Sequence, residues 1–150
     1  MTIQRSGKTV AAVSTANADG AIAVVRLSGA DAIAVAGRIF SPANGKPLSD
    51  FPGNTAVHGW FSDEKGRFDE GIALLFRAPK SYTGEDMAEL SCHGSRYLAS
   101  RLLSAAVAAG ASPPGPGEFT KRAFLNGKLD LSAAEAGAEL VAARSERPAP

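Results

Sequence analysis

The chain has 150 residues, 45% apolar and 21% charged, and its 16 basic and 15 acidic residues leave a net charge of +1. At that length a chain can bury roughly two-thirds of its unfolded surface, enough for one domain with a real core. Near-neutrality removes the basic field on which autonomous nucleic-acid or anionic-membrane binding depends, no apolar run approaches the ~20 residues of a membrane span, and the lone cysteine, Cys92, excludes an internal disulfide and fits a reducing compartment. The opening "MTIQRSGKTVAAV" has a basic start but then polar breaks and no small-residue cleavage signal. A cytoplasmic, soluble chain is expected.

"KTVAAVST" and "AIAVVRLSG" are β-leaning runs separated by the turn-rich "TANADG". Their Val, Ile and Ala content predicts strands covered on both faces. In "SGADAIAVAGRIF" the period changes to helical, with Ile33, Val35, Ile39 and Phe40 as its stripe and Ser28 to Asp31 at capping-box spacing. "SPANGKPLSDFPGN" predicts loop. "TAVHGWFSDEKGRFDEGIALLFRAP" predicts a hairpin with "DEKG" at its tip and Val57, Trp60, Phe61, Ile72, Leu74 and Phe76 in its strands.

After the turn "KSYTGED" comes a short strand, "MAELSC". A helix over "GSRYLASRLLSAAVAAG" follows, closed by Gly110, with Tyr97, Leu98, Leu102, Leu103, Ala106 and Val107 as its stripe. Pro113, Pro114 and Pro116 then break regular structure. A short helix spans Thr120 to Leu125 and stops at "NG". A last helix opens at Ser132, with Glu135 completing a capping box. The order β-β-α-β-β-β-α-α-α lacks the βα alternation of a doubly wound fold and predicts an α+β domain, a mixed sheet with packed helices.

"SGKT", Ser6 to Thr9, imitates the end of a phosphate-binding P-loop. Thr2 stands where that loop needs its first glycine, and β-like "VAAV" follows where a helix is needed. The chain is therefore not expected to hydrolyse GTP. Cys92 and His93 are adjacent, so on a strand they point to opposite faces and make a poor nucleophile–base pair. His58 reads as a solvent-facing strand residue. Arg26 ends the apolar run "AIAVV", Glu89 lies inside a short strand, and Lys128 follows a turn and precedes Leu129. Each is either an ordinary surface charge or ion pair, or a ligand contact. "GEFTKRAFLNGKLDLSAAEA", Gly117 to Ala136, poses the same choice on a larger scale, because six charges are threaded among Phe119, Phe124, Leu125, Leu129 and Leu131.

Three stretches taken together, "KTVAAVSTANADGAIAVVRLSG", "DEGIALLFRAPKSYTGEDMAELSCHGS" and "GPGEFTKRAFLNGKLDLSAAEA", resemble in order and spacing the N-terminal domain of the MnmE (TrmE) family of tRNA-modification GTPases. The resemblance spans nearly the whole chain and is weakest at residues 41–54. It implies a domain over residues 1–131 similar to the folate-binding part of aminomethyltransferases, with residues 132–150 as the start of a helical domain. It also implies a homodimer that binds a reduced folate, 5-formyl- or methylene-tetrahydrofolate, as one-carbon donor. With the partner MnmG (GidA), family members add an aminomethyl-type group to C5 of the wobble uridine of tRNA. The implied folate contacts are Arg26, Glu89 and Lys128, with no catalytic residue and no metal ligand in this chain. GTP, Mg²⁺ and K⁺ belong to a GTPase domain that this sequence does not contain.

The chain departs from the family pattern at Ala18-Asp19, where a Gly-Arg-Gly-like turn is usual, and at Ser95, where a second glycine is usual. An acid near an anionic ligand is expected to weaken or alter binding. Two other readings remain open at this point: a stand-alone folate-dependent aminomethyltransferase-like enzyme, and a structural dimerisation domain that has lost its ligand.

Overall fold

A computed structural model describes residues 7–129. The helix expected from Ser132 lies outside the described residues.

Strands β1 (Val10–Val13) and β2 (Ile22–Ser28) open the fold. Helix α1 (Ala32–Ile39) runs directly into a three-residue strand, β3 (Phe40–Pro42). A 3₁₀ turn at Leu48–Asp50 leads to the long hairpin of β4 (Thr55–Asp63) and β5 (Gly66–Phe76), followed by β6 (Met87–His93). Helices α2 (Arg96–Ala108) and α3 (Glu118–Leu125) complete the described chain. The strands form one six-stranded sheet in the order β1-β2-β6-β5-β4-β3. The α+β class is as the sequence predicts. The sheet, however, is antiparallel at every neighbouring pair rather than mixed.

Helices α1 and α2 cover one face of the sheet. Val25, Leu27, Phe61, Leu75 and Leu90 from the strands pack there with Ile33, Val35 and Leu102 from the helices. The opposite face is only partly covered. In β2 buried residues alternate with half-buried ones, so the strand is not enclosed on both sides as its Val and Ile content predicts. Ile22 and Ile72, on that second face, are exposed.

Several local expectations are corrected. Ser28 does not cap α1: Asp31 holds the N-cap position without a side-chain bond, and the Ser28 hydroxyl is buried against Thr83 and Glu85. Phe40 leaves the helix to pair with Phe61, forming a strand where the proline-rich sequence reads as loop. Tyr97 and Val107 lie on the solvent side of α2, while Leu102 and Ala106 carry its buried stripe.

The β4–β5 tip is fastened to α2 by Arg101. Its Nε donates to Asp63 Oδ2 at 2.7 Å and its Nη2 to Oδ1 at 2.9 Å, and its guanidinium lies 4.4 Å from the Phe68 ring centroid. The Arg101 hydrogen bonds hold the Asp63 carboxyl at about 2, against an ordinary 3.8. A carboxyl depressed in the folded state contributes stability above its unfolded value and loses it as pH falls through the folded one. Asp63→Asn is therefore expected to make the fall in melting temperature between about pH 4 and about pH 2 shallower than in the wild type. Parallel pH profiles for the two proteins would contradict this.

Candidate functional site

The register of β2 against β6 sets Arg26 directly opposite Glu89. Because Val25, Leu27 and Leu90 point into the core, both charged side chains emerge on the partly covered face. Arg26 Nε donates to Glu89 Oε2 at 2.8 Å, and Nη2 lies 2.8 Å from the same oxygen. The side chains are 29% and 22% exposed, so the pair is neither a loose surface bridge nor fully buried. Two aromatic rings flank the guanidinium, Tyr82 at 5.5 Å and Phe119 at 5.7 Å to their centroids. At these distances a cation is attracted to the ring faces.

Tyr82 and Phe119 come from two different walls. Tyr82 belongs to "SYTGED", between β5 and β6, and Phe119 to the first turn of α3. Gly84 explains part of that loop's composition. Its φ is +84°, and a Cβ there would lie 2.7 Å from the Asn126 Cβ. Asn126 in turn donates from Nδ2 to the Thr83 carbonyl at 2.9 Å. A hydrogen bond of 3.0 Å between the Tyr82 hydroxyl and Thr120 Oγ1 joins the two walls at the surface.

Beneath them lies Arg122, 1% exposed. Its Nη1 donates to Glu85 Oε1 at 2.9 Å and to the Ser28 carbonyl at 3.3 Å. Its Nη2 donates to the Lys8 carbonyl at 2.8 Å and to Glu118 Oε2. Glu118 also accepts from the Gly115 backbone at 2.7 Å, which ties the proline-rich segment to the same cluster. A cavity of about 440 Å³ results, lined among others by Ala12, Arg26, Tyr82, Pro116, Phe119 and Thr120. That volume suits a small-molecule ligand. Another cavity, about 490 Å³ beside α1 and the 3₁₀ turn, has Arg38 and Lys46 in its lining but no acidic side chain.

Of the three residues singled out from the sequence, Arg26 and Glu89 meet. Lys128 is exposed just beyond α3; its backbone N–H bonds the Ala123 carbonyl, and its side chain makes no ion pair among the described residues. Tyr82, Glu85, Phe119 and Arg122 were missed as individuals. The signal available for them was charge threaded through apolar residues in "GEFTKRAFL" and the turn string "SYTGED".

Other sequence features have plainer roles. Asp19 Oδ1 accepts from the Arg96 N–H at 2.9 Å, and Ser95 Oγ accepts from the Leu98 N–H at 2.9 Å. Both departures from the family pattern thus cap the N-terminus of α2. Neither lines the cavity beside Arg26. Cys92 is in the core, where burial pushes its thiol up to about 11. The His93 ring bonds Asp69 at 2.7 Å. Burial opposes the charge on Asp69, but the hydrogen bonds from His93 still hold its carboxyl below the ordinary value. His58 is exposed beside Glu70. Lys8-Thr9 leads straight into β1, without the helix of a P-loop.

Residues 9–128 match the family model described as "GTP-binding protein TrmE N-terminus". The chain belongs to the TrmE N-terminal family. It is 50% identical over 141 residues to a tRNA modification GTPase MnmE of Symbiobacterium thermophilum, covering 93% of this chain and 31% of that protein. A protein of the same name from Syntrophomonas wolfei is 50% identical over 143 residues, covering 94% and 31%. One from Geobacillus thermodenitrificans is 48% identical over 141 residues, covering 93% and 30%. The chain spans less than a third of the length of these relatives.

The Arg122 cluster gives a direct test of how the walls of the cavity are held. Arg122→Met strands the Glu85 carboxylate in a buried site and is expected to cost about 3–5 kcal/mol in denaturant unfolding. Adding Glu85→Gln to that variant removes the stranded charge and should recover part of the loss. A loss below about 1 kcal/mol for Arg122→Met would show that the cluster does not hold the walls.

Proposed function

We propose that this domain is the folate-binding and dimerisation module of a tRNA-modification GTPase of the MnmE type. The observation that carries this reading is Arg26, paired with Glu89, flanked by the rings of Tyr82 and Phe119 and lining with them a ligand-sized cavity. A reduced folate suits that chemistry. The pyrimidine half of its pterin is flat and apolar on its faces, with hydrogen-bonding groups along one edge, and Tyr82 and Phe119 offer faces for it while Glu89 offers an acceptor. Its anionic tail calls for a cation, for which Lys128, without an ion pair among the described residues, is the candidate. When bound, the folate supplies a one-carbon unit; this chain's residues bind and orient it.

On this reading the longer protein builds an aminomethyl-type group on C5 of the wobble uridine in cytoplasmic tRNA, together with MnmG. GTP hydrolysis, with its Mg²⁺ and K⁺, resides outside the matched domain. The exposed Ile22 and Ile72 on the less covered sheet face support a homodimer, since paired copies would take such side chains out of water.

Calorimetric titration of 5-formyltetrahydrofolate tests the site. The chain should bind it, and Glu89→Ala should weaken binding roughly ten- to more than a hundredfold, the equivalent of about 1–3 kcal/mol for an unpaired polar group. Lys128→Ala should weaken it less, by an amount that shrinks for a folate lacking its glutamate tail. Equal affinity across the wild type and both variants would refute the site.

A further inference from the structure

Strand β1 is an edge of the sheet, and its outer side is paired only in part. In its ladder with β2 the Ser14 N–H donates to the Val24 carbonyl at 2.8 Å. By the alternation of an antiparallel ladder, Ala12 and Ser14 turn their backbone groups toward β2, while Ala11 and Val13 turn theirs to the outer edge. On that edge the Ser112 N–H donates to the Thr9 carbonyl, and the Ala11 N–H to the Ser112 carbonyl, both at 2.9 Å. This short parallel pairing goes no further. Its next bond would need an N–H from residue 114, and Pro114, like Pro113 before it, has none.

The next edge residue is Val13. Among the described residues, neither its N–H nor its C=O has a hydrogen bond. Its side chain packs toward the core, so what it turns to the cavity beside Arg26 is backbone. Backbone groups drawn away from water are nearly always paired, which marks this one residue of open edge as a place for a ligand to complete. On β3, the other edge strand, Pro42 blocks the same arrangement: it has no N–H, and its carbonyl accepts from Gly45 at 3.1 Å.

The N–H and C=O of one strand residue are met by the N–H and C=O of one residue opposite. The complement of Val13 is therefore an acylated amino acid, whose amide N–H donates to the Val13 carbonyl and whose α-carboxylate accepts from the Val13 N–H. We infer that the open edge at Val13 binds the N-acyl amino acid end of the ligand. This rests on the folate reading, in which that end is the acylated glutamate; the second, side-chain carboxylate of the glutamate is the one that remains for a separate cation. Charge permits it. Glu118 is the one acid lining the cavity among the described residues, and its two oxygens already accept from Gly115 and Arg122. Distance permits it too. Ala12, Arg26 and Glu89 lie in one row across β1, β2 and β6. Two strand spacings are roughly 10 Å, a span that the aminobenzoyl linker of a folate bridges.

Amide hydrogen exchange in ¹⁵N-labelled protein tests this, with 5-formyltetrahydrofolate and with 5-formyltetrahydropteroate, which lacks the glutamate. In the free protein the Val13 amide should exchange faster than the Ala11 amide, which is bonded to Ser112. Saturating folate should slow Val13 by about tenfold or more, whereas saturating pteroate should leave it unchanged and bind about tenfold or more weakly. The affinity loss alone would also follow from the other carboxylate, so the Val13 amide decides. A Val13 amide as slow as Ala11 without ligand, one that folate leaves unchanged, or one that both ligands slow alike would overturn the inference while leaving folate binding intact. Equal affinities for the two ligands would overturn it as well. Binding of neither ligand would overturn the folate reading, and the inference with it.

Discussion

The guanidinium of Arg122 gathers separate parts of the chain around one buried charge. It binds the carbonyls of Lys8, before β1, and of Ser28, at the end of β2, and the carboxylates of Glu85, in the "SYTGED" loop, and Glu118, at the start of α3. Burying a guanidinium costs several kcal/mol, and its partners repay that only when their geometry is good. Here the partners are themselves held. Glu85 also accepts from the Ser28 hydroxyl at 2.8 Å, and Glu118 from the Gly115 N–H at 2.7 Å. One guanidinium nitrogen, Nε, is buried without a hydrogen-bond partner among the described residues. Such a cluster adds little net stability over an apolar replacement of the same shape, but it fixes where each partner must sit.

That placement is what the candidate site needs. The sheet alone gives Arg26 and Glu89 by register, as a cross-strand pair that many surfaces carry. The cavity exists because α3 and the "SYTGED" loop stand over that part of the face, and both are tied to Arg122. Phe119 and Thr120 follow Glu118 directly, so the anchor and the wall share one helical turn. Tyr82 precedes Glu85 by three residues, with Gly84 supplying the positive φ that turns the loop. The fold and the candidate site are thus linked through a residue that neither lines the cavity nor bonds the pair.

Much of this was legible in the sequence, and the exceptions have physical reasons. The hairpin, the two main helices and the α+β class follow from hydrophobic period and turn residues, which are local signals. Strand β3 was not legible, because Phe40 continues the helical stripe of α1 until Phe61 draws it into the sheet. Ser28 was misread because capping-box spacing is local, whereas its partners Thr83 and Glu85 lie more than fifty residues away. Arg26 and Glu89 stood out as charges in apolar strands, yet only the strand order β2-β6 shows that they face each other. Asp19 looked like a threat to an anionic ligand, but it serves a helix N-terminus instead. Arg122 was visible only as one charge among several, since nothing in its neighbours marks it as the buried one.

The central claim is that a ligand enters between the less covered sheet face and α3, beside Arg26 and Glu89. Backbone amide shifts in ¹⁵N-labelled protein titrated with 5-formyltetrahydrofolate test it most directly. The largest perturbations should fall on Ala12, Arg26, Tyr82, Glu89, Phe119 and Thr120. Perturbations centred instead on Ala34, Gly37, Lys46 and Leu48, around the cavity beside α1, would contradict the account.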